Sequence, residues 1–318
     1  MKWFNLYVIC GMFAFGCQVE SLPTILTTAD SGTNYKLHEV KMATDSLGFI
    51  AGGSRYEESV LLRTDDGGFS WTRMETTDLP KTLFALDIDP AGQVLACAYD
   101  GWVYQFEDVN SSGNLMHVPF WDPIHSIKIV HENLWVMVGG DGFQNGHIGY
   151  SIDQGSTWQQ DSIFFELRDV EFTDDQNGVA CGFGNILTTS DGAQTFQNTG
   201  THGDFFTDLH FPTPTIGYAC GFSGSLLKTT DGGNSWEKNR NGNQLIQKNY
   251  QFNHIHFYTA EHGVVVGQNG IALYTDDGGD EWKELEGLPD IHLYGVWMTS
   301  AQSGIIVGDE GYLVLFLL

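Results

Sequence analysis

The stretch Thr229 to Trp236, reading Thr-Thr-Asp-Gly-Gly-Asn-Ser-Trp, has close copies at Thr64 to Trp71, Ser151 to Trp158, Thr189 to Phe196 and Thr275 to Trp282. The shared pattern is Ser/Thr-x-Asp-x-Gly-x-Ser/Thr-Trp, with Ala193 replacing one glycine and Glu281 one hydroxyl. A second signature precedes each copy: a short apolar run that ends in a small residue, as in Gly178-Val179-Ala180-Cys181-Gly182. The seven final small residues (Gly52, Ala98, Gly139, Gly182, Gly221, Gly267 and Gly308) recur at spacings of 39 to 46 positions. A chain that repeats at this period builds a repeat architecture. The runs are β-rich, bounded by glycine and too short for helices.

Each unit reads as four strands: an inner strand, the small-residue run, a third strand after a tight turn, and a fourth that starts at the Trp of the motif. Four strands per unit, repeated radially, is the pattern of a β-propeller. The fold expected is all-β, a seven-bladed propeller of four-stranded blades spanning residues 18–318. The last unit stops after its third strand, at Gly311 to Phe316. The segment Thr28 to Tyr35 matches the motif with Tyr for Trp. The N-terminal strand is therefore expected to close blade seven, with Asp30 as the Asp of that blade's motif. Blade two lacks a copy.

In a tight turn Asp accepts hydrogen bonds from nearby backbone N–H groups, and Gly supplies backbone angles closed to other residues. Asp30, Asp66, Asp153, Asp191, Asp231 and Asp277 are thus read as structural. The spacing of an EF-hand calcium loop is missing, and no pattern points to a metal or cofactor. Cys97, Cys181 and Cys220 share one repeat position, as small buried hydrophobes would.

The chain carries 14 Lys and Arg against 40 Asp and Glu, a net charge of −26. That field repels phosphate backbones and argues against nucleic-acid partners. Residues 1–17 read as a lipoprotein-type signal peptide: Lys2, an apolar stretch too short for a stop-transfer helix, then Phe13-Ala14-Phe15-Gly16-Cys17. Cys17 is the expected lipidation site. The exported domain is expected in the periplasm or at the outer membrane, touching membrane through its lipid alone, as a monomer.

The motif copies at Asp66, Asp153, Asp191, Asp231 and Asp277 resemble the BNR or Asp-box repeats of sialidases, sortilin-type receptors and xyloglucanases. The number of units, the length and the Gly-x-Ala-x-Gly strands more closely resemble the photosystem II stability/assembly factor-like family. That resemblance implies a seven-bladed, mostly non-catalytic propeller that binds and helps assemble membrane proteins.

Alternating strands put the repeated turns on one face and the turns between second and third strands on the other, where propeller sites usually open. Aligning the inner strands places His38, Leu86, His125, Arg168, Thr207, Asn253 and Tyr294 at that opposite mouth. Glu39, Asp87, Ser126, Asp169, Asp208, His254 and Gly295 follow one position later, where Asp and Ser are read first as backbone acceptors. The ligand-binding candidates are Arg168, His38, His125, Asn253 and Tyr294, joined by Arg55 and Tyr56 from a neighbouring turn. Arg is scarce here and suits a carboxylate. His254 and His256, at strand spacing, are read as packing between blades. No nucleophile elbow and no sialidase arginine set is present, while Glu39, Asp87, Asp169 and Asp208 leave a glycosidase carboxylate pair open; no catalytic residue is assigned. The function expected is binding of an envelope protein, with a glycan-binding or glycan-cleaving propeller as the alternative.

Overall fold

The computed structural model describes residues 20–76, 81–107, 113–142, 144–240 and 250–318. Cys17 with its leader lies outside the described residues. The strands form seven sheets. Blade four shows the common order: Leu167–Phe172, Gly178–Gly182, Asn185–Thr189 and Gln197–Asn198, each antiparallel to the next. The innermost strands contact one another in sequence, and that of blade seven, Leu293–Ser300, meets that of blade one, Lys36–Met42.

Closure occurs where expected. Ile25–Thr28 pairs antiparallel with the third strand of blade seven, Leu313–Leu317, and becomes its outermost strand. Ser21–Leu22 also pairs, parallel, with the outer strand of blade six, Lys283–Leu285. One joint therefore depends on contacts between the two ends of the described chain.

The seven hydrophobic clusters of the described residues each lie at one joint between neighbouring blades. The repeating small residues make this possible. Ala96, Ala180 and Ala219 are fully buried in second strands, beside Cys97, Cys181 and Cys220. Compact side chains let neighbouring sheets approach each other around the axis. The three thiols are free and buried, which pushes their pKa up, as packing residues require.

The repeated turns form one network. In the first, Thr64 donates its hydroxyl hydrogen to Asp66 at 2.8 Å and accepts the Gly68 N–H at 2.9 Å. Asp66 also accepts the Ser70 N–H and hydroxyl at 2.9 and 2.6 Å, and the Trp71 indole donates to the Gly68 carbonyl at 2.9 Å. The Asp hydrogen bonds recur around Asp153, Asp191, Asp231 and Asp277. Hydrogen bonds from Ser70 and Thr64 hold the Asp66 carboxyl down at about 2. The glycine after Asp66, Asp191, Asp231 and Asp277 ties its turn to the loop between first and second strands, as Gly67 does to the Ser46 carbonyl at 2.9 Å and Gly232 to that of Thr215 at 2.9 Å.

Thr28 to Tyr35 is different, and the expectation for Asp30 is corrected. This segment follows the outermost strand of blade seven instead of preceding it, so it lies on the opposite face. Among the described residues Asp30 accepts only the Gly32 N–H, at 2.8 Å, and the Ser31 hydroxyl donates to the Gly311 carbonyl at 2.8 Å. Gly311, at φ +70°, presses against the Thr33 carbonyl, as Gly101 does against that of Phe120 and Gly270 against that of Pro289. Three equivalent contacts identify Thr28 to Tyr35 as a connection between blades. The third and fourth strands of blade seven, Leu313–Leu317 and Ile25–Thr28, are far apart in sequence, so no repeated turn joins them.

Candidate functional site

An inner strand is an edge strand, with N–H groups that have no ladder partner on the axial side. Blades two to seven solve this with a side chain from the blade before. Leu86 N–H donates to Glu39 at 2.6 Å, Ile129 to Asp87 at 2.7 Å, Leu209 to Asp169 at 3.0 Å and Ile255 to Asp208 at 2.7 Å. Val170 N–H reaches the Ser126 hydroxyl at 3.4 Å. Phe257 and Met298 donate to Nδ1 of His210 and His256, at 3.2 and 3.1 Å. The reading of these acids as backbone acceptors holds, and they join blade to blade. The two histidines at strand spacing line the channel, and His256 holds the next blade.

A register shift at the start of each inner strand exposes two successive side chains to the channel. The rings are therefore three. The mouth ring holds His38, Phe84, His125, Arg168, Thr207, Asn253 and Tyr294, and these residues line one cavity of about 230 Å³. A middle ring follows, in which Glu39, Asp169, Asp208 and His254 line both this cavity and a second one. The deep ring is Lys41, Asp87, Lys128, Glu171, His210, His256 and Trp297, lining that second cavity of about 440 Å³ on the side of the repeated turns.

Blade two corrects the sequence alignment by two positions. Phe84 stands in the mouth ring, Leu86 is buried in the joint with blade one, and Asp87 belongs to the deep ring. The larger cavity also lies on the face expected to carry no site.

All five predicted channel residues, His38, His125, Arg168, Asn253 and Tyr294, converge on the mouth. Most are already engaged. Arg168 pairs with Glu166 at 2.6 Å and packs over Phe205 at 5.0 Å. His125 meets Glu166 at 3.2 Å, and Asn253 donates to the Leu293 carbonyl at 2.7 Å. Tyr294 accepts from Lys36 at 3.0 Å. His38 lies between Phe84 and Tyr294, with ring centroids at 5.5 and 5.3 Å. Burial lowers its pKa to about 4, so it is neutral at physiological pH.

Arg55 and Tyr56 stand outside the cavity, on the turn between the second and third strands of blade one. The Arg55 guanidinium lies 4.1 Å from the centre of the Tyr99 ring and 5.1 Å from that of Tyr56. It has no ion pair among the described residues. Tyr56 is 58% exposed, meets Tyr99 edge-on at 5.8 Å, and has Lys81 4.7 Å from its ring. Phe84 joins the two groups, at 5.8 Å from Tyr99 and 5.2 Å from His125. An aromatic arc thus runs from Tyr56 across Tyr99, Phe84 and His38 to Tyr294. Sequence reasoning missed Phe84 because of the two-residue slip. It also missed the deep ring, although residues two places beyond the middle ring point to the same side of a strand.

The sequence model of the family described as Photosynthesis system II assembly factor YCF48 matches residues 199–291. Two solved structures align over nearly all of the chain. One, described as YCF48 bound to D1 peptide, gives a TM-score of 0.71 at 16% identity and covers 95% of this chain and 98% of its own. The other, YCF48 from Cyanidioschyzon merolae, gives 0.71 at 15% identity, with 92% and 98% covered. The chain resembles the photosystem II assembly factor YCF48. The WD40 β-propeller domain of Doa1 also matches, with a TM-score of 0.68 at 12% identity and 92% and 97% covered, which reflects the shared propeller fold. A search of curated protein sequences gave no match.

Proposed function

We propose that this chain is a non-catalytic propeller that binds a protein partner on the mouth face, held at the cell envelope through a lipid on Cys17. The observation that carries the reading is the aromatic arc ending in Arg55. In a chain of net charge −26, an exposed arginine with no ion pair among the described residues, seated on two tyrosines, is an anchor for a peptide carboxylate beside apolar or aromatic side chains. The resemblance to YCF48 supports the style of work, since one of the similar structures is described as bound to a peptide. Arg168, drawn on by Glu166, is a secondary contact in this reading.

The mature domain is to be used as bait in solubilised envelopes. A defined partner is expected with the wild type and with Phe69→Ala on the opposite face, and its recovery should fall about tenfold with Arg55→Ala, a loss near 1.4 kcal/mol. Equal recovery with Arg55→Ala and wild type overturns the assignment of the face, and no enrichment overturns the function. For the anchor, Cys17→Ala should move the protein from the membrane fraction to the soluble one. If the variant stays with the membrane, the lipid is not what holds it.

A further inference from the structure

The cavity of about 440 Å³ lies within the range of small-molecule sites, roughly 300–1,000 Å³. Its charged groups are largely satisfied by one another. Lys41 pairs with Asp87, and Lys128 with Glu171 at 2.6 Å, which gives an alternating chain along one half of the deep ring. The other half is neutral and aromatic: His210, His256 and Trp297, with ring centroids 4.3 and 4.1 Å apart.

Several polar groups of the wall have no partner among the described residues. Because Nδ1 of His210 and of His256 each accepts a backbone N–H, each neutral ring carries its proton on Nε2. Neither Nε2 has a partner among the described residues, although His256 is only 5% exposed and lines the cavity. The Trp297 indole N–H also has none. On the acceptor side, one oxygen each of Glu39, Asp169, Asp208 and Glu171 has no hydrogen-bond partner among the described residues.

We propose that this cavity is a binding site for a neutral polyhydroxylated ligand of one or two sugar units, stacked on Trp297. Hydroxyl groups donate to the free carboxyl oxygens and accept from the imidazole N–H groups, which an ion of either sign does only in part. An anion meets seven acidic side chains in the wall. A cation meets Lys41 and Lys128, and burial pushes Glu39 and Asp208 toward their neutral forms. The Trp297 ring supplies the flat apolar surface that the C–H face of a pyranose covers.

Saturation-transfer NMR on the mature protein with glucose, galactose, mannose, N-acetylglucosamine and cellobiose tests this, with putrescine and succinate as charged probes. At least one sugar should receive transfer and shift the Trp297 indole N–H resonance, assigned through Trp297→Phe. Trp297→Leu should weaken binding about tenfold, Trp297→Phe should keep most of it, and Arg55→Ala at the opposite face should leave it unchanged. Silence from every sugar overturns the proposal. So does stronger transfer to putrescine or succinate, or sugar binding that leaves the Trp297 indole unmoved. The indole readout uses the wild-type protein and does not depend on how well Trp297→Leu folds.

Discussion

The side chains that hold the channel together are also those most sensitive to pH. Glu39 accepts the Leu86 N–H while dehydrated in the lumen, and burial, opposed by Lys41 and Lys128, raises its pKa to about 7. A raised carboxyl pKa in the fold means that stability is greatest below the unfolded value, near 4.5, and is lost as pH rises through about 7. Glu39→Gln keeps an acceptor for Leu86 and cannot ionise. Its thermal midpoint relative to wild type is therefore expected to be higher at pH 8 than at pH 5. Equal differences at the two pH values would show that Glu39 does not titrate in that window. The Asp66 carboxyl, held at about 2 by its hydrogen bonds, acts with the opposite sign. Its contribution is present above its ordinary range and disappears as pH falls toward about 2.

At the level of the strand, closure of the ring rests on Ile25–Thr28 against Leu313–Leu317, with Ser21–Leu22 lying on blade six. Leu26 packs against the cluster shared by blades six and seven. Removing residues 1–28 exposes the edge of Leu313–Leu317 and uncovers that cluster, and an exposed apolar edge strand invites association between chains. The truncated protein is expected to unfold at a lower temperature and to form larger species in size-exclusion chromatography. An unchanged midpoint with a monomeric profile would mean that three strands suffice for blade seven. The same element explains the error over Asp30. Thr28 to Tyr35 has the letters of the repeated turn, but a turn joins the strands that flank it. Here the preceding strand is the outermost of one blade and the following strand the innermost of the next.

For the whole molecule, a net charge of −26 on a closed ring produces self-repulsion that the local hydrogen bonds must overcome. Salt screens this, with a Debye length of about 10 Å at 0.1 M. Raising sodium chloride from about 0.02 M to about 0.2 M is expected to raise the thermal midpoint by about 2–4 °C, equivalent to about 1 kcal/mol in a large domain. A midpoint that falls with salt would show that ion pairs such as Lys128–Glu171 outweigh the general repulsion. The closed ring also gives the molecule two unlike axial openings. One leads to an aromatic arc with an arginine stacked on two tyrosines, the other to a cavity whose neutral donors and carboxyl oxygens are not all used among the described residues.

Architecture was legible in the sequence because it is local and repeated. Each turn forms its own hydrogen bonds within eight residues, and each small-residue run sets one sheet against the next, so the period revealed seven blades and the closing strand. The candidate residues of the mouth were also found, since strand alternation points them to the axis. Only the tertiary structure decided which of them are free. Arg168 is committed to Glu166, while Arg55, less prominent in the sequence, is not. It also placed Phe84, because a shift in strand register leaves no mark in residue types, and it showed that the deep ring encloses a cavity. The repeated turn records how the ring is built. What the ring can bind depends on side chains from different blades that meet only after closure.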